Sequence, residues 1–297
     1  MAEHEQKRHT EAGRTAPRDA LWRRVVRRVG AYMFRHPLHR AASKSDPARL
    51  EAGLARGVDV NTQKKQGTTA LMVAVACNPE PTLVDRLIDE GADVNLAKNN
   101  GTTPLMVAAQ LNQQVVFVER LLAAGAEVNA QKANGVTPLM IAAYNNGPEV
   151  VEALLQAGAR VDACRDDGVT ALMAAAFSRK TAVVEMLLRA GADVNACSEN
   201  GVTALMLAAE YSDDLAMTEA LLQAGAAVNA QQENGLSALM IAAKLNEPYI
   251  VERLLDAGAD PALADNSGKD AAYWASAYNS SVRESSVFAR LQVSDNE

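Results

Sequence analysis

The sequence predicts an all-α solenoid of helix–loop–helix units joined by projecting β-turns. Three observations carry that prediction: a phrase that recurs at a nearly constant interval, an apolar content made mostly of Ala and Leu, and glycines placed singly in register with that phrase. Of the 297 residues, 48% are hydrophobic but only 4% are aromatic. Small unbranched side chains suit closely packed helices, whereas a sheet favours β-branched and aromatic residues.

The period is read from the glycines. Gly67, Gly101, Gly135, Gly168, Gly201, Gly235 and Gly268 follow one another at almost equal steps. The first six open similar phrases: GTTALMVAV, GTTPLMVAA, GVTPLMIAA, GVTALMAAA, GVTALMLAA and GLSALMIAA. Well after each of them a second phrase follows, as in RLIDEGADVN, RLLAAGAEVN and MLLRAGADVN. Self-similarity at such a period marks a repeat architecture, in which each unit buries its apolar face against its neighbours.

Each element of the unit has a local cause. Thr69, Thr103, Thr137, Thr170, Thr203 and Ser237 place a hydroxyl where a first helix needs an N-cap. Pro104 and Pro138 follow at the first helical position, where a missing N–H costs nothing. An Ala-rich helix comes next, then a polar loop, then a second helix ending in a Leu-Leu or Leu-Ile pair. Gly91, Gly125, Gly158, Gly191, Gly225 and Gly258 stop that helix in the left-handed region. Asn100-Gly101, Asn134-Gly135, Asp167-Gly168, Asn200-Gly201 and Asn234-Gly235 are turn dipeptides.

With these phrases the chain resembles the ankyrin-repeat family, whose T-P-L-H-x-A signature recurs at a similar period. The resemblance runs from roughly Ala31 to the C-terminus. It departs at one column, where the family's His is Met at Met72, Met106, Met140, Met173, Met206 and Met240. These methionines are expected in the core as adaptable apolar filling rather than as metal ligands. His36-Pro37-Leu38-His39-Arg40-Ala41-Ala42 reads as a first-repeat version of the signature. The last unit loses the Leu-Met phrase, and Tyr273, Trp274 and Tyr278 are expected to shield the final core layer. The expected organisation is a disordered polar tail at 1–18, a basic amphipathic helix at 19–35 and an N-terminal capping repeat at 31–63. Six full repeats follow at 64–97, 98–131, 132–164, 165–197, 198–231 and 232–264, and a C-terminal capping repeat at 265–297.

The charge is unevenly spread. The net charge of −7 divides into +7 over residues 1–45 and −14 over the rest. An acidic body repels a phosphate backbone, which argues against nucleic-acid binding by the repeats. Chemistry is also scarce. The four histidines are His4, His9, His36 and His39, so the array from Lys64 to Ala264 has no imidazole to act as base or ligand. Cys77, Cys164 and Cys197 are far apart in sequence, as reduced thiols of a cytoplasmic protein would be. Cys164 and Cys197 hold equivalent places in adjacent repeats, where helices packed ~8–10 Å apart leave no room for a disulfide. The glycines match no phosphate loop, and adjacent acids such as Asp166-Asp167 read as solvated. We therefore expect no enzyme, no cofactor and no metal.

A binding surface is sought among positions that vary while the framework stays fixed. Two such positions end the first helix: Ala76/Cys77, Gln110/Leu111, Tyr144/Asn145, Phe177/Ser178, Glu210/Tyr211 and Lys244/Leu245. Between Lys64 and Ala264 there are five aromatics, and three of them, Tyr144, Phe177 and Tyr211, fall in this column. Leu111, Asn145, Lys244 and Leu245 join them, and Lys65, Gln66, Asn99, Asp166, Glu199 and Glu233 form a polar rim at the turn tips. The resemblance implies that this column faces the concave groove that holds a partner. The alternative is that these side chains cover the seam with the second helices.

Residues 20–35, ALWRRVVRRVGAYMFR, project as a helix with Leu21, Trp22, Val25, Val26, Val29, Tyr32 and Met33 on one side and Arg23, Arg24, Arg27, Arg28 and Arg35 on the other. Such a helix can cap the open end of the repeats, lie on an anionic membrane or meet an acidic partner. The function expected is a monomeric, cytoplasmic, non-enzymatic module that binds a protein. The alternatives are a membrane-associated adaptor recruited through residues 20–35, and an exported bacterial effector that binds a host protein, since the Thr-Ala-Leu-Met phrases resemble those of bacterial ankyrin proteins.

Overall fold

The computed structural model describes residues 36–111 and 115–292, so the expectations for 1–18 and 19–35 lie outside the described residues. The chain divides into two compact units, Met1–Asn99 and Asn100–Glu297. Among the described residues it is all α-helical, with short helices in pairs and isolated bridges in place of strands.

In the first unit, α1 (Pro37–Lys44) and α2 (Pro47–Leu54) pack together, and α1 also packs on α3 (Ala70–Cys77), which leads to α4 (Thr82–Asp89). Asp46 caps α2 by accepting from the Arg49 N–H, and Thr69 caps α3 by accepting from the Met72 N–H. Leu38, Leu50, Leu71, Met72, Val84 and Leu87 close the core. Lys65, Gln66 and Asn99 are exposed at turn tips, where the Asn99 N–H donates to the Gln66 carbonyl at 2.9 Å.

His39 stands one repeat before Met72, in the column that the methionines fill afterwards. It is fully buried, and its Nε2 donates to the Thr68 carbonyl at 2.8 Å, tying α1 to the turn before α3. Its Nδ1 meets His36 Nδ1 at 3.3 Å. Burial, with smaller contributions from His36 and Lys64, lowers its pKa from 6.5 to about 4. Between those values the unfolded chain takes up a proton that the folded chain refuses. The contribution of His39 is therefore fully present above about pH 6.5 and is lost as the pH falls toward about 4. At pH 5 the expected loss is about 2 kcal/mol. Urea unfolding at pH 7 and pH 5 should show that difference in the wild type, and a His39→Gln variant, which can still donate to Thr68, should lack it. Equal pH dependence in both chains would remove His39 as the cause.

The second unit repeats one design. Its first helices are α5 (Pro104–Leu111), α7 (Pro138–Asn145), α9 (Ala171–Phe177), α11 (Ala204–Tyr211), α13 (Ala238–Leu245) and α15 (Ala271–Tyr278), each packed on the next. Its second helices, α6 (Val115–Ala123), α8 (Pro148–Gln156), α10 (Thr181–Arg189), α12 (Leu215–Gln223) and α14 (Pro248–Asp256), stack likewise. The predicted caps form: the Thr103, Thr137, Thr170, Thr203 and Ser237 hydroxyls each accept from the N–H of the methionine in the next turn. The second helices close with a left-handed glycine. At Gly158, φ is 86°, its N–H donates to the Leu155 carbonyl and that of Ala159 to Leu154, the two bonds of a Schellman motif. All six methionines of the Met72–Met240 column are buried, as expected of core filling.

The last unit departs from the expected two-helix pattern. After α15 come two very short helices, α16 (Ser280–Arg283) and α17 (Phe288–Leu291). Asn279 caps α16, and the Ser285 hydroxyl turns back onto the Val282 carbonyl, so no continuous second helix forms. The final core layer is closed by Ala271, Ala275, Val282, Val287 and Leu291. Of the residues expected to shield it, Trp274 is half-buried, whereas Tyr273 and Tyr278 are exposed.

Candidate functional site

The site follows from how completely a first helix is buried. In α7, Pro138 through Ala143 are all buried, and only Tyr144 and Asn145 turn outward. A helix apolar all round must be enclosed, so its variable character is confined to its last two positions. α11 ends in the same way with Glu210 and Tyr211, and α13 with Lys244 and Leu245.

These side chains meet their neighbours from repeat to repeat. The Tyr144 and Phe177 rings stack at 6.0 Å between centroids and 22° between planes. Phe177 and Tyr211 meet at 4.6 Å and 53°. Yet the row stays open to solvent, with Tyr144 45%, Phe177 40%, Tyr211 39% and Leu245 56% exposed. Leu111 is half-buried. Asn145 is exposed, but its amide donates to the Ile141 carbonyl of its own helix. Burial, and then the adjacent Glu210, raise the Tyr211 pKa above its ordinary value.

Beyond Tyr211 the row continues through residues that the column reading passed over. Lys244 Nζ sits 4.6 Å from the centroid of Trp274 and 5.1 Å from that of Tyr278. Those two rings stack at 5.4 Å. Lys269 lies 4.7 Å from the Tyr273 ring. Tyr278 was within reach of sequence reasoning, since it lies one repeat after Leu245 in the same column. Trp274 was not, because its helical position is filled by the core residue Ile241 in α13.

The turn tips bring exposed carboxylates to Asp166, Glu199 and Glu233. Each is set by its backbone: the N–H groups of Asp166, Glu199 and Glu233 donate to the carbonyls of Asn134, Asp167 and Asn200 in the preceding turn. Lys65, Gln66 and Asn99 belong to the first unit. Elsewhere, Phe117 is entirely buried, while Tyr249 lies outside the row and donates from its hydroxyl to the Asp213 carbonyl at 2.8 Å. Burial, followed by Asp213, Glu247 and Asp214, raises its pKa. Cys164 and Cys197 are free and exposed. Among the described residues no group of three or more His, Cys, Asp or Glu could hold a metal ion, and no helix is long and apolar enough to cross a membrane.

A family model described as ankyrin repeats (three copies) matches residues 38–131, 111–198, 178–266 and 205–284. No curated protein matches the chain. The matches span nearly all of the paired helices, and with their caps, glycine stops and nested turns they have one meaning: the chain belongs to the ankyrin-repeat family.

Proposed function

We propose that this chain is a non-enzymatic protein-binding module that holds a segment of a partner along the row from Leu111 to Leu245. It acts as a monomer in the cytoplasm, with the turn tips as a polar rim. Ankyrin-repeat proteins are typically interaction modules without catalytic activity. One observation supports it above the others: three large rings, Tyr144, Phe177 and Tyr211, meet one after another across three repeats, the first two stacked and the last two tilted, while remaining about two-fifths exposed. Side chains needed only to cover a seam would be buried, as Phe117 is. Tyr and large apolar groups are the usual anchors of interfaces. The exposed free thiols of Cys164 and Cys197 suit a reducing compartment.

The test compares pull-downs from native lysate by the wild type and by a Tyr144→Ala, Phe177→Ala, Tyr211→Ala variant shown to be folded by circular dichroism. A bound protein should be depleted about tenfold or more, as expected when central aromatic anchors are truncated. Equal retention would move the site to the turn tips or to residues 20–35.

A further inference from the structure

We infer that the element this row accepts is a cationic amphipathic α-helix of a partner protein, an assignment that rests on the protein-binding role proposed above. Spacing and charge both lead to it.

The steps between rings, 6.0 Å from Tyr144 to Phe177 and 4.6 Å from Phe177 to Tyr211, match a helix. At about 1.5 Å of rise per residue, side chains at i+4 and i+3 are offset by about 6 and 4.5 Å along the axis. A helix lying along the row therefore sets its i, i+4 and i+7 side chains over successive rings. An extended strand presents one side chain per face every ~6.6–6.8 Å and fails to match the shorter step.

Charge then selects among helices. Asp166, Glu199 and Glu233 hold their places through backbone N–H groups, and their carboxylates are left to solvent. Among the described residues none of the three takes part in an ion pair. Glu210 adds a fourth exposed carboxylate beside Tyr211. The far end of the row shows what such a surface takes. There Lys244 and Lys269 lie over the faces of Trp274, Tyr278 and Tyr273. Among the described residues no Lys or Arg lies over Tyr144, Phe177 or Tyr211. An Arg or Lys at the edge of a partner's apolar face would find a ring face in the row and, at Glu210 beside Tyr211, a carboxylate, with the tip carboxylates beyond the other end of each first helix.

The synthetic peptide of residues 20–35 serves as a probe, because Trp22, Val26, Val29 and Met33 stand at i, i+4, i+7 and i+11 with arginines between them. Its control has Arg23, Arg24, Arg27, Arg28 and Arg35 replaced by Glu. Fluorescence anisotropy with the full chain should show binding of the probe and not of the control. Affinity should fall about tenfold between roughly 50 and 300 mM salt, as an ion-paired rim requires. It should be lost in the Tyr144→Ala, Phe177→Ala, Tyr211→Ala variant and weakened severalfold by Asp166→Asn, Glu199→Gln, Glu233→Gln. Equal binding of the control, no binding of the probe, or affinity unchanged by the rim variant would overturn the cationic helix. So would binding that survives loss of the rings, since the acidic surface alone would then account for it. Lysate capture that still depends on the three rings would, in any of those cases, leave the protein-binding proposal standing and change only the chemistry of its partner.

Discussion

Gly235→Ala is expected to destabilise the second unit by about 3 kcal/mol or more, while the same change at Gly158 costs about 1–2 kcal/mol. Both glycines are left-handed, with φ of 84° and 86°, so both substitutions carry the strain of a Cβ in that region. They differ in what the new methyl meets. At Gly158 nothing lies within 4 Å. At Gly235 it would lie 2.6 Å from the Asn266 nitrogen and 2.8 Å from the Asp265 Cα, which are main-chain atoms of the next turn. Main chain cannot rotate aside as a side chain does, so the two turns must separate and the Asn266 N–H bond to the Asn234 carbonyl is lost with them. Urea or thermal unfolding of the two variants measures the difference. Equal losses would mean that the turns are not in the contact described.

Phe117→Ala and Phe177→Ala make the same chemical change in two environments and should separate stability from binding. Phe117, on α6, is fully buried and among the largest enclosed side chains. Its truncation leaves a cavity as well as losing transfer energy, about 3–5 kcal/mol in all. Phe177 is 40% exposed and can relax toward solvent, so its truncation costs about 1–2 kcal/mol, mostly through its two ring contacts. Partner retention should follow the opposite order, with Phe117→Ala binding normally at temperatures where it is folded and Phe177→Ala binding poorly. A cost at Phe177 as large as that at Phe117 would make the row a packing feature.

Most of the fold was legible because its causes are local. A hydroxyl at Thr137 caps the helix that follows it, and a glycine at Gly158 ends the one before it, whatever lies elsewhere. The column of Tyr144, Phe177 and Tyr211 was legible for a related reason: two outward positions per enclosed helix are all that a repeat can vary without cost to its core. What lay beyond reach depended on contacts between repeats of unlike sequence within the second unit. Tyr273 and Trp274 read as capping residues because bulk at the end of an array suggests a lid. Trp274 enters the row through Lys244, whose Nζ lies over its ring, while the cation over Tyr273 is Lys269. The break between α16 and α17 was equally hidden, since no periodic phrase there announces where a helix should stop. His39 stood in the signature position, but its low pKa arises from an enclosure that sequence does not report.

The nesting of the turns has a consequence for how such a surface can change. In the second unit each turn glycine from Gly101 to Gly201 rests on the main chain of the following turn, as Gly168 does on Cys197 and Ser198, with no side chain of the tip among the nearest atoms. The pitch from one tip to the next is therefore written in backbone, while residues such as Asp166, Glu199 and Glu233 project from it. Exchanging those tips alters charge without altering spacing. The pair of outward positions that ends each first helix has the same freedom. Surface chemistry and architecture occupy separate letters of the repeat, and one set can be rewritten while the other keeps the rings and tips at the same intervals.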